Sequence, residues 1–159
     1  MFLNNSQACM DSALEALAES LDYFYDNTSR LSPKIRETLT THFETRRDDV
    51  MALRESARLH MKILPRDADV ERDDYRWLWS RLKGVVGGNS QVLLNDFQEQ
   101  ERAVMRALGN AWTYPLPEEI DPMIEQLLLR CRALLRDIFA CQQHTHNRLQ
   151  KRNRNPPLD

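Results

Sequence analysis

Hydrophobic positions along this chain recur at alternating spacings of three and four, and that period predicts helices from end to end. In residues 6–25, Met10, Leu14, Leu17, Leu21 and Phe24 line one helical face. Asn27-Thr28-Ser29 breaks the pattern, and Ser32-Pro33 restarts it with a cap residue followed by a proline at the first helical position. The second seam, Leu39, Phe43, Arg46, Val50, Leu53, Ala57, His60 and Leu64, predicts a helix over 33–64 that stops before Pro65. Residues 70–86 carry a shorter apolar face, Tyr75, Leu78, Trp79, Leu82 and Val86, closed by Gly87-Gly88. A helix over 89–112 follows, capped by Asn89 or Ser90, with Leu94, Phe97, Val104, Leu108 and Ala111 on its seam. The Pro115-Leu116-Pro117 joint then leads to a last helix, whose first turn holds Glu118 and Glu119. Its seam is Ile120, Ile124, Leu127, Cys131, Leu134, Ile138 and Cys141.

Four long helices joined this way form two antiparallel hairpins, because short joints make neighbours antiparallel. The hairpins are separated by about 25 residues that hold the shorter helix. A long crossover between the second and third helices is the connectivity of ferritin-like four-helix bundles, so the expected fold is all-α with that arrangement. Composition agrees: only 4 glycines among 159 residues, beside 42% hydrophobic and 29% charged residues, suit a helical bundle better than a turn-rich sheet fold. The expected organisation is one bundle domain over 1–147 and a basic, disordered tail over 148–159.

One position breaks the seam of the third helix. Glu101 stands where a hydrophobe belongs, and Arg46 makes the equivalent intrusion on the second helix. Glu101 has three readings: half of a buried ion pair with Arg46, a flank residue reaching solvent, or a metal ligand. A buried carboxylate without a partner is costly, and a bidentate arginine compensates it best. A ferritin-like di-metal centre needs Glu-x-x-His pairs facing inward. None occurs here: Arg47, Arg58, Val104 and Leu128 follow Glu44, Glu55, Glu101 and Glu125 at that spacing. The weak candidates for a metal role are Glu101, Glu44 and His60. No metal, cofactor or catalytic residue is therefore assigned.

The remaining chemistry is sparse. Three cysteines without paired spacing read as reduced thiols, with Cys131 and Cys141 packed on the last seam and Cys9 the more exposed. His42 reads as a core or flank histidine, and His144 and His146, in a polar end, could hold a stray transition metal only weakly. The formal charge of -2 gives no general attraction to polyanions. No segment reads as a signal peptide or a membrane span, so a cytoplasmic protein is expected. Trp77 lies nearly opposite Trp79 on the crossover helix, which makes Trp77, with Tyr75 and Arg76, a candidate partner surface. Arg148, Lys151, Arg152 and Arg154 are candidate tail contacts. Nucleic-acid binding through this tail is a third option and not the expected one, because the tail lacks aromatic residues.

Taken together, Arg76, Trp79 and Lys83 before Gly87-Gly88, Glu101 on the next helix and Gln126 on the last one resemble the pattern of a bacterial family of uncharacterised four-helix-bundle proteins in the ferritin-like superfamily. The resemblance spans residues 13–139. It implies the ferritin-like bundle and an ancestral metal site. The chain departs from the pattern at Tyr75, where the family has histidine, around Glu101, where only the glutamate of Gly-Glu-Asp is kept, and at Leu134 or Leu135 in place of a histidine. Those departures remove most potential ligands. The expected function is thus a non-catalytic bundle acting through protein–protein contacts, as a homodimer or a stress-related accessory factor, with iron or manganese binding as the alternative.

Overall fold

The computed structural model describes residues 3–64 and 90–154. Among them are four α-helices and no strand: α1 (Asn5–Asn27), α2 (Pro33–Met61), α3 (Ser90–Trp112) and α4 (Asp121–Arg154), with a 3-10 turn at Thr28–Arg30. The segment expected to hold the crossover helix, and with it Tyr75, Arg76 and Trp77, lies outside the described residues.

Helix ends follow local chemistry. Asn4 caps α1 through a reciprocal pair: its Oδ1 accepts from the Gln7 N–H at 2.8 Å, and Gln7 Oε1 accepts from the Asn4 N–H at 3.0 Å. Gln7 Nε2 also donates to the Met61 carbonyl at 2.7 Å, so one side chain ties the start of α1 to the end of α2. The Ser32 side chain makes no capping bond at the start of α2. Arg36, one turn in, secures that joint by donating to the carbonyls of Thr28, Ser29 and Leu31 at 3.0–3.1 Å. Helix α2 stops at Met61, three residues before the expected end. Lys62 adopts the left-handed conformation (φ 57°), and the chain turns back so that Ile63 is buried and its N–H donates to the Ala57 carbonyl at 3.3 Å. Helix α4 continues to Arg154, so Arg148, Lys151, Arg152 and Arg154 ride on its last turns, where an irregular tail was expected.

Contacts between side chains give the arrangement. Helix α1 packs on α2 and α3, and α4 packs on the same two, which puts α2 and α3 at opposite corners of a square. Tyr23, late in α1, bonds Asp96, early in α3; His42 and Asp49 of α2 meet Asp137 and Arg130 of α4 in reverse order. Every packed pair is therefore antiparallel, and α2 and α3 run in the same direction. The core divides into two clusters. One is mainly aliphatic, with Met10, Leu17, Leu53, Leu108, Ile120 and Ile124 among its buried members. The other is built on Phe24, Phe43 and Phe97, with Leu39, Leu94, Leu134 and Ile138 around them. Phe24 and Phe43 stack with centroids 4.2 Å apart and planes 7° from parallel.

Candidate functional site

Where the two clusters meet, each helix contributes one polar or polarisable side chain: Ser20 from α1, Arg46 from α2, Glu101 from α3 and Cys131 from α4. Their exposures are 2%, 4%, 1% and 0%. Arg46 lies one turn beyond Phe43 and one before Val50, and Glu101 lies one turn beyond Phe97, so the same periodicity that buries the hydrophobes carries both charges inward.

The geometry is a closed network. Arg46 Nη1 donates to Glu101 Oε2 at 2.7 Å and to Ser20 Oγ at 3.1 Å. Its Nη2 donates to Glu101 Oε1 and reaches Cys131 Sγ at 3.5 Å. Ser20 Oγ–H in turn donates to the Leu17 carbonyl at 2.6 Å. The guanidinium carbon also sits 5.3 Å from the centre of the Phe43 ring, within cation–π range. The pair spans the diagonal of the bundle, from α2 to α3, so a single fork of hydrogen bonds links two helices at opposite corners.

Electrostatics hold Arg46 charged and the Cys131 thiol neutral. Burial opposes charge on Arg46, but the facing carboxylate outweighs it and holds the guanidinium above its usual range. Burial pushes the Cys131 thiol well up, and the charge of Glu101 adds to that; Arg46 offsets only part. A thiol held neutral is neither a nucleophile nor a thiolate ligand. The layer can thus fix helices in place, and it offers neither a general base nor a free carboxylate edge.

The other candidates are scattered. Glu44 is exposed on α2, whereas Glu101 is buried. His60 is exposed at the end of α2, where its Nδ1 lies 3.7 Å from Glu119. Among the described residues no three of His, Cys, Asp and Glu converge as a metal site. His42 Nε2 meets Asp137 Oδ2 at 2.6 Å on the bundle flank. Cys141 is half-buried, its thiol raised by burial and then by Asp137. Cys9 is also half-buried, less open than expected.

Ser20 is the member of the layer that periodicity alone passes over. Residues 20 and 21 both continue the seam from Leu17, and the apolar Leu21 draws the assignment. The usable signal was that a small hydroxyl residue facing a seam arginine offers it an acceptor.

A second polar feature lies between the start of α3 and the far part of α4. A groove of about 460 Å³ is lined by Gln91, Asn95, Gln98, Phe139, Gln142, Gln143 and His146. Gln142, buried at its floor, donates from Nε2 to Asn95 Oδ1 at 2.9 Å and to Gln98 Oε1 at 3.3 Å.

No protein-family model, curated protein or solved structure matches this chain. No helix among the described residues is long and apolar enough to cross a membrane.

Proposed function

We propose that this protein is a ferritin-like bundle with no chemistry at its centre, a non-catalytic scaffold that acts through protein–protein contacts, self-association included. The observation that carries this reading is the fork between Arg46 and Glu101. In a metal-binding bundle the central carboxylate faces a cation; here a guanidinium supplies that positive charge and uses both carboxylate oxygens. The same direction of α2 and α3, at opposite ends of which their connection begins and ends, supports a long ferritin-like crossover over residues 65–89. Met51 and Leu59, 64% and 48% exposed on α2, supply apolar surface for a contact.

Metal analysis of protein purified without an affinity tag tests the central point. The expected result is no stoichiometric iron or manganese. Stoichiometric metal that disappears in Glu101→Ala would replace this reading with the metal-binding one. For the contact surface, Met51→Asp with Leu59→Asp is expected to weaken self-association in sedimentation velocity while leaving helicity unchanged.

A further inference from the structure

Helix α4 outruns the bundle. Gln142 is its last buried residue, and 12 further residues continue the helix to Arg154. At ~1.5 Å per residue that is about 18 Å of helix which buries almost nothing of this chain. Its surface is also one-sided in charge. From Ile138 to Arg154 the sequence contains no acidic residue, while Arg148, Lys151, Arg152 and Arg154 are all exposed.

Helical spacing aligns this extension with the flank of the bundle behind it. Arg132, Arg136, Phe139, Gln143, His146 and Arg154 recur on one side of α4, and all are exposed. Phe139 is 56% exposed, a large aromatic left open at the edge of the amide-lined groove. None of the groove residues is acidic. Asn95 and Gln98 turn their oxygens toward Gln142, which leaves their N–H groups as donors suited to the acceptors on base edges.

We infer that this stripe of α4, with the adjoining groove, is a docking surface for single-stranded nucleic acid. Three features carry it together. Arginines along the stripe and around the projecting turns neutralise phosphates. An exposed ring offers a face on which an unpaired base stacks. Amides beside that ring hydrogen-bond base edges. A phosphate-only partner would leave the ring and amides unused, and an acidic peptide has no base to stack. The tail taken alone lacks an aromatic; its continuity with α4 supplies Phe139. The inference goes beyond the scaffold reading and does not depend on the central ion pair.

The test uses the full chain and a fluorescein-labelled oligonucleotide of about 20 unpaired nucleotides, followed by anisotropy from about 50 to about 200 mM salt. Binding that weakens steeply with salt is expected. Arg132→Gln, Arg136→Gln and Arg154→Gln combined should weaken it at least about tenfold and reduce the log–log salt slope by about 2, at ~0.7 per phosphate contact on a single strand. Phe139→Ala should cost roughly fivefold or more with a nearly unchanged slope, which separates stacking from charge. All four positions are exposed, and circular dichroism checks that the bundle is intact. No binding at low salt, equal binding by Phe139→Ala, or tighter binding to duplex, to phosphatidylserine vesicles or to a polyglutamate peptide would each overturn the inference.

Discussion

The two halves of the core are filled differently. Toward the start of α1 and the end of α2, the interior is aliphatic and rich in small residues, with Ala13, Ala57 and Ala111 fully buried. Toward the start of α3, three phenylalanines from three helices meet, and α4 answers with Leu134 and Ile138. Between them lies the layer of Ser20, Arg46, Glu101 and Cys131. An aliphatic core tolerates sliding by a turn, because one leucine resembles the next. A charged fork at mid-length does not, since a shift of one turn would bury both charges without a partner. The layer is therefore proposed to set register, with the two halves supplying most of the stability.

The largest expected effect is at the boundary itself. Glu101→Ala leaves a buried guanidinium unpaired and should destabilise the fold by about 3–5 kcal/mol, read from the urea midpoint. Within the halves, Phe43→Ala is expected to cost about 3–5 kcal/mol and Leu108→Ala about 2–5 kcal/mol. Because the two sit on opposite sides of the layer, their double variant should be additive within about 0.5 kcal/mol. Strong coupling between them would mean that the core is one unit and that the layer divides nothing.

Alkaline pH gives a smaller effect. The Tyr23 phenol is pushed up by burial and then by Asp96, and the Cys131 thiol by burial and then by Glu101. Both groups hold their protons more tightly folded than unfolded. Their contribution is complete below the ordinary values of 9.0 for the thiol and 10.0 for the phenol, and it is lost as pH rises above them. Stability should fall from pH 9.0 upward, with a shallower fall in Cys131→Ala and, above pH 10.0, in Tyr23→Phe. The smallest effect is at the edge of the aliphatic half. Lys62→Gly relieves a left-handed residue and should raise stability by up to about 1 kcal/mol.

The four long helices and their hairpin pairing are legible in the three-four spacing, as are the two charged residues that interrupt it, Arg46 and Glu101. The same spacing misplaces residues wherever a step of three and a step of four are both open. After Leu17 it prefers Leu21, yet Ser20 is buried. After Ile138 it takes Cys141, while Gln142 is the more buried. After Ala57 it runs on through His60 and Leu64; Met61 is inside, and Leu64 is 77% exposed beyond the left-handed turn. In the first two cases the polar neighbour is buried because another helix offers it a partner: Arg46 for Ser20, Asn95 and Gln98 for Gln142. Such partners lie far away in sequence, so single-helix periodicity does not register them. The amide groove and the exposed Phe139 escape notice for the same reason.

A double-mutant cycle on the central pair tests this account most directly. Arg46→Met, Glu101→Leu and their combination would be compared by urea unfolding. If the pair sets register, each single variant should lose about 3–5 kcal/mol and the double variant should recover most of that loss, because no charge is left buried alone. Single variants as stable as the wild type, or a double variant that loses the sum of both, would contradict it.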